Sequence, residues 1–311
     1  QVGNLGSQTI SVGVENADNN TLGAYQLESV DESVTAASAT ALTTAIDALN
    51  NAAADYTVKG FFGTKTASVD AGATARDTAA AFNLVSSTTG IKATAITKAR
   101  LAVSQAATFT FSLIGKSSTS STVTGTITST TDLTALKDAI NSVSGSTGIV
   151  ATLTSDKAGI NVTQDEGYNI IINDVTSGTG AMTVKAMERD GTVDSTTRTL
   201  AGTTAAGDCA GVLGQVILSG DKPFTVTPGN AANSFSAATA ELSSSLSTVG
   251  NISIKTVSGA TNAIAVLDGA LSMISASRSK MGALQNRLNA TVDNLSTIIT
   301  KTEQARSRVL D

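Results

Sequence analysis

At 311 residues the chain exceeds one ordinary core and predicts about two domains. A formal charge of −5, from 20 Lys+Arg against 25 Asp+Glu, argues against a nucleic-acid surface, which needs a basic face. With no His, no Trp and 1 Cys, the sequence excludes His-based triads, His-ligated zinc, a Cys-rich metal site, an internal disulfide and the commonest general base near neutral pH.

The chain opens on Gln1, and no charged-then-apolar leader follows, which reads as a processed chain or an excised piece. Residues 1–29, with Thr9-Ile10-Ser11-Val12-Gly13-Val14 alternating, predict part of a β-hairpin. From about Val30 to Gly250 the composition turns to Ser, Thr, Ala, Gly and Val, with short strands expected at 107–114, 121–128, 149–153 and 168–175. This middle also repeats. Ala81-Phe82-Asn83 and Ala139-Ile140-Asn141 each close a short helical pattern and lead, after the same gap, into Thr89-Gly90-Ile91 and Thr147-Gly148-Ile149, an offset of 58 in both elements. The stretch 42–50 echoes 133–141 as well. The predicted unit is strand, short helix, strand, joined by turns.

The last fifty residues obey a different rule. Ile264, Leu267, Leu271, Ile274, Arg278, Met281, Gln285, Leu288, Val292, Leu295, Ile299, Thr302, Arg306 and Val309 follow one another at spacings of three and four, the heptad pattern of a helix that packs a narrow seam. No Pro lies between Thr261 and Asp311, so one helix of about 48 residues, roughly 70 Å long, is expected. Ser258 and Thr261 offer N-cap oxygens, Asp268 falls in an early turn, and Arg306 and Arg308 suit the negative end of the helix dipole. Such a rod has little stability alone in water, so the seam demands a partner helix, and the chain contains no second rod of matching length. No run approaches the roughly 18 apolar residues of a membrane span.

Here the residues carry a resemblance. The run from Ser272 to Asn289, with Arg278, Met281-Gly282-Ala283 and Gln285-Asn286-Arg287, resembles the carboxy-terminal helix of bacterial flagellin; Val292-Asp293-Asn294-Leu295 and Ala305-Arg306-Ser307-Arg308-Val309 continue it in register. Met281 stands where the family has Leu. Gln1-Val2-Gly3 with Gln8-Thr9-Ile10 resembles the family's hairpin, and the repeated middle resembles the short insertion repeat of some flagellin outer domains. The resemblance implies an α+β multidomain chain: a core-domain hairpin or connector at 1–29, an inserted β-rich outer region at 30–249 built partly from β-α-β repeats and divisible at 165/166, and a core-domain long helix at 250–311. It implies a fragment lacking the amino-terminal helices and both terminal tails.

By the same resemblance the function is that of a structural subunit of the bacterial flagellar filament. The chain would be exported through the flagellar type III channel, lie outside the cell, and self-assemble through coiled-coil terminal helices. Implied partners are other flagellin subunits, the flagellar export chaperone, junction and cap proteins, the vertebrate innate flagellin receptor and surface glycans; no cofactor, metal or catalytic set is expected. A hook–filament junction protein, and a cell-surface adhesin whose outer region binds polysaccharide, remain as alternatives. The residues assigned to subunit or inter-helix contacts are Arg278, Gly282, Gln285, Asn286, Arg287, Asn294 and Arg306. Gln285 on the seam would fix register, against the plain reading of a solvated helix face; Arg278 and Arg306 on the seam require an acidic partner or must reach outward to water. Gly269 and Gly282 each cost a helix about 1 kcal/mol, which close approach of a neighbouring backbone would explain.

Elsewhere the chemistry is bland. Cys209, with no His to activate it, reads as a small buried residue. Gly178-Thr179-Gly180 lacks the Lys-Ser/Thr of a phosphate loop, and Asp165-Glu166-Gly167 with Asn173-Asp174 does not match a twelve-residue calcium loop.

Overall fold

The computed structural model describes residues 16–29, 33–36, 54–202, 209–230, 235, 239–254 and 257–310. The alternation at 9–14 and the echo at 42–50 lie outside the described residues. After strands β1 (Gly23–Glu28) and β2 (Ser33–Ala36), two similar units follow. The first is β3 (Ala54–Lys59), β4 (Thr64–Val69), helix α1 (Ala75–Leu84), the single turn α2 (Ser86–Thr89) and β5 (Ile91–Val103). The second is β6 (Thr108–Ile114), β7 (Ser121–Thr126), α3 (Thr134–Ser142), α4 (Ser144–Thr147) and β8 (Ile149–Leu153).

The offset of 58 is a hydrogen-bond pattern. Asn83 Nδ2 donates to the Ala93 carbonyl at 2.8 Å while the Ala93 amide donates to Asn83 Oδ1 at 2.9 Å. Asn141 holds Ala151 in the same two ways, at 2.9 and 2.8 Å. Thr89 and Thr147 each donate to the carbonyl four residues back, at Val85 and Val143. Each then accepts the amide of the first strand residue, Ile91 or Ile149. The chain leaves both helical turns through a left-handed residue, Gly90 at φ 78° and Gly148 at φ 68°, a conformation that glycine alone adopts cheaply. Each unit opens on a β-hairpin, so it is hairpin, helix and strand where the sequence suggested one strand, a helix and a strand. The extra strand is hard to read because Thr64–Val69 alternates among Thr, Lys, Ala and Ser, residues that carry little contrast between faces.

Beyond the units come β9 (Ile160–Gln164), β10 (Ile170–Thr176), β11 (Met182–Ala186), β12 (Arg198–Leu200), β13 (Cys209–Val212), β14 (Gln215–Gly220), β15 (Thr225–Pro228), β16 (Leu242–Ser243), β17 (Ser245–Thr248) and the long helix α5 (Val257–Leu310). Three antiparallel sheets result, ordered β12-β11-β5-β14-β1-β17 with β9 and β8 joined through β5, β2-β13-β10-β6-β7, and β16-β15-β3-β4. The chain is therefore α+β, with a long carboxy-terminal helix and several antiparallel sheets.

Two apolar cores form. One gathers Phe109, Phe111, Leu113, Leu136, Ile140, Ile149, Ile170 and Val184. The other gathers Tyr56, Phe82, Val216, Phe224 and Phe235. In the second, Phe235 meets Tyr56 and Phe82 edge to face while Tyr56 and Phe82 lie tilted to each other, with centroids 5.3 to 5.8 Å apart, so three of the few aromatics do the work of one cluster. The thirteen-residue β5 spans both cores, contributing Ile91 and Ala93 to one and Ala99 and Leu101 to the other. A cut at 165/166 falls inside the first core, between Val162 and Ile170, and so does not separate the two. A boundary at 29/30 leaves β1 in one sheet with β14 and β17, both from the far end of the chain.

Helix α5 has 54 residues and starts at Val257, so Ser258 and Thr261 lie inside it and are not its N-caps. Its first turn carries no acidic residue, Asp268 comes three turns in, and Arg308 occupies the last turn. At about 1.5 Å per residue the helix is roughly 80 Å long.

Candidate assembly interface

Only the beginning of α5 is packed. Ala263, Val266 and Ala270, spaced three and four apart, are buried. The helix lies across β1, where Gly269 meets the strand so closely that a Cβ on it would stand 2.8 Å from the Gly23 carbonyl oxygen. That docking face is one residue out of phase with the heptad seam. Along the seam Ile264 and Leu271 are 61% exposed, Val292 62% and Val309 85%, and beyond Ala270 no described residue of the helix is buried. The apolar stripe thus runs open to solvent for most of the rod's length, which a helix in water does not sustain as a final state.

Arg278, Gly282, Gln285, Asn286, Arg287, Asn294 and Arg306 are all exposed on this undocked part. The helical period brings Arg278, Gln285 and Arg306 onto the stripe with Met281 and Leu288, and sets Asn286, Arg287 and Asn294 beside it. Among the described residues, no carboxylate lies within 4.0 Å of Arg278 or Arg306. A Cβ on Gly282 would meet nothing within 4 Å among the described residues, so of Gly269 and Gly282 it is Gly269 that has its close approach here.

A second feature was not singled out in the sequence. Where α5 leaves β17, a cleft of about 760 Å³ is lined by Gln26, Glu28, Asp190, the four residues of β17, Asn251–Ser253, Asn262 and Val266, among others. Period-two alternation puts Ala24, Gln26 and Glu28 on one face of β1, the face under the helix, and turns Tyr25 and Leu27 toward the second core. Among the described residues, Gln26 Nε2, Thr248 Oγ1 and Asn262 Oδ1 are buried there without hydrogen-bond partners. The signal for it was the pair Gln26 and Glu28 on the α5-facing side of an otherwise apolar strand.

Glu28, in the cleft lining, carries an ion pair. Arg189, its side chain 7% exposed, reaches Glu28 Oε1 at 3.5 Å. The Arg189 amide donates to Gln215 Oε1 at 2.8 Å, and its carbonyl accepts from Lys98 Nζ at 3.0 Å. Gln215 Nε2 in turn donates to the Ser29 carbonyl at 3.2 Å, tying β14 to the end of β1. Burial pushes the Glu28 carboxyl above the usual glutamate range, with Arg189 pulling the other way, and burial pushes Lys98 and Arg189 below their ordinary values.

Comparison with known proteins meets these two regions. The model of the bacterial flagellin C-terminal helical region matches residues 264–311, and that of the flagellin hook IN motif matches residues 108–166. The first match falls on the open seam and the second on the repeat unit from β6 to β9. The chain is 35% identical over 189 residues to the B-type flagellin of Pseudomonas aeruginosa, an alignment covering 60% of this chain and 37% of that protein. Both stretches are thus similar to parts of bacterial flagellins. The chain is also 41% identical over 64 residues to polar flagellin A of Vibrio parahaemolyticus, covering 21% of this chain and 17% of the relative. The chain thus spans well under half the length of these curated relatives. Among solved structures, the flagellar cap protein FliD from Helicobacter pylori aligns with 53% of this chain and 58% of its own at 10% identity and a TM-score of 0.20, too low to bear on the fold.

Proposed function

We propose that this chain is a flagellin that serves as a structural subunit of the bacterial flagellar filament, assembling by burying the α5 seam against helices of the same or neighbouring subunits. The observation that carries the reading is the phase of the helix: Ala263, Val266 and Ala270 dock on β1, while the heptad stripe one residue away stays open as far as Val309. Packing a stripe of this kind releases about 25 cal/mol per Å² of apolar area, so even part of the rod's length supplies a large assembly free energy.

In this reading 1–29 and 250–311 belong to the filament core, and 30–249 faces outward, its two hairpin-helix-strand units setting the surface. Arg278, Gly282, Gln285, Asn286, Arg287, Asn294 and Arg306 make inter-helix contacts, with acidic side chains of adjacent helices meeting the arginines. The partners are further copies of the chain, together with the export chaperone and the junction and cap proteins of the flagellum. The role is mechanical, and no residue is assigned to catalysis.

The test is electron microscopy of the full-length protein after addition of short filament seeds. Elongating filaments are expected; monodisperse monomers that bind polysaccharide would replace this reading with that of an adhesin.

A further inference from the structure

The hairpin tips of the two units occupy the same place and carry different chemistry. A Cβ on Gly60 would stand 1.8 Å from the Thr89 carbonyl oxygen, and one on Gly115 would stand 2.3 Å from that of Thr147. The residues that follow approach the left-handed glycines: the Phe62 ring lies over Gly90, and the Lys116 stem over Gly148. In the second unit Lys116 is held within the chain, its Nζ reaching Glu166 Oε1 at 2.6 Å. In the first, Phe61 is 69% and Phe62 73% exposed, with their rings edge to face at 5.4 Å. One frame accepts either set of side chains, so the fold does not require the two rings.

The rings stand at one end of a unit whose charges are segregated. Lys59, Lys65 and Lys92 adjoin the turns at Gly60, Gly63 and Gly90, while Asp55, Asp70 and Asp77 gather where β3 begins, β4 ends and α1 begins. Helix α1 ends on Leu84, 85% exposed, and only the short α2 separates it from Gly90. Lys59 pairs with Glu241 at 2.9 Å, but among the described residues no carboxylate lies within 4.0 Å of Lys65 or Lys92. In a chain of net charge −5, this end is apolar at its point and basic behind it.

Two rings and a leucine at these exposures offer about 450 Å² of side-chain surface, well below the roughly 800 Å² per partner of a stable protein interface. A bilayer asks for no matching shape. It takes aromatic side chains at headgroup depth and draws lysines where its lipids are anionic. We propose that the 60–63 tip enters the surface of a membrane rich in anionic phospholipid, with Phe61 and Phe62 in the headgroup layer and Lys65 and Lys92 facing the lipid charge. This contact goes beyond the filament reading and does not rest on it, since no residue of the α5 seam takes part.

The chain has no Trp, so Phe61→Trp places a single indole at the tip of the full chain. With vesicles of equal parts phosphatidylcholine and phosphatidylserine its emission is expected to move to the blue, and the shift to fade as salt rises. Adding Lys65→Glu and Lys92→Glu should weaken vesicle binding at least tenfold, each lysine near an anionic surface being worth about fivefold. An indole that stays in water with these vesicles overturns the membrane contact, and so does an equal shift on phosphatidylcholine alone. A blue shift without lipid that grows with protein concentration, or appears on seeding, gives the tip to a second copy and overturns it as well. Should a variant fail to fold, co-sedimentation of the dilute unaltered chain decides: pelleting with the anionic vesicles alone is expected, and pelleting with neither kind is disproof. Each of these failures leaves the seam untouched, because filament growth is read separately.

Discussion

Gly269 and Ala24 bring α5 and β1 into backbone contact: a Cβ on Gly269 would lie 2.7 Å from the Ala24 Cβ and 3.0 Å from its Cα. Ala24 is held by its pairing with Ser247 of β17, in a strand that pairs with β14 from Tyr25 onward, so it does not move without disturbing the sheet. Gly269→Ala gains about 1 kcal/mol of helix propensity but forces the root of the rod off the strand, an overpacking cost of roughly 1–3 kcal/mol or more. Net destabilisation in thermal unfolding is the expected result. Gly282→Ala, with open space around it, should gain up to about 1 kcal/mol in the isolated chain. If that substitution also lowers seeded assembly, the close approach absent at Gly282 in the monomer is supplied by the polymer. Equal stabilisation at both positions would show that α5 is not seated on β1.

What the sequence disclosed depended on residue contrast. The seam was legible because Leu, Ile and Met stand out against Ser, Ala and Thr at a spacing of three and four, and the repeat because Asn, Thr and Gly recur where a helix must be left. The Asn83 and Asn141 positions were visible as letters, although their bonds to Ala93 and Ala151 were not. The interleaved cores stayed hidden because β5 switches core partway along one strand without any change of pattern. In Thr64–Val69 buried Ala67 sits between exposed Thr66 and Ser68, small residues of little contrast, so that half of its hairpin leaves little trace.

Asn83 and Asn141 should be interchangeable in what they contribute. Each satisfies both the amide and the carbonyl of a strand residue ten positions on. Replacement by Ala leaves two part-buried backbone groups unpaired, a loss of about 1–3 kcal/mol. Replacement by Asp keeps the acceptor and removes the donor, and should cost part of that amount. Urea unfolding of the four single variants checks the ordering. A large loss at one site and none at the other would mean that the two units are alike in form only.

The two faces of α5 should separate folding from assembly. Val266 is 3% exposed against the β1 layer, and Val266→Asp buries an unpaired carboxylate, expected to cost about 3 kcal/mol or more. Val292 is 62% exposed, and Val292→Asp should change monomer stability by no more than about 0.5 kcal/mol. Seeded polymerisation followed by light scattering should nevertheless fail for Val292→Asp, because the charge would be buried in the seam. Normal filament growth of that variant would remove the seam from the assembly mechanism.

Glu28 gives the stability a pH dependence whose sign follows from its surroundings. Its carboxyl faces Arg189 at 3.5 Å, with Asp190 and Glu188 near enough to add to the upward shift that burial causes. A carboxyl whose pKa is higher folded than unfolded binds a proton on folding, so its contribution is fully present below the ordinary value of 4.5 and is lost as pH rises through the raised folded value. Glu28→Gln removes this titration, and the stability difference between the variant and the unaltered chain should change across mildly acidic pH and be level well above it. Gln keeps the uncharged form at every pH, so by the same sign the variant should gain on the unaltered chain as pH rises through the raised folded value, the attraction to Arg189 being outweighed by burial. Melting temperatures of the two proteins between pH 4 and pH 8 measure the effect, and a difference that does not vary with pH would show that Glu28 titrates as it does in the unfolded chain.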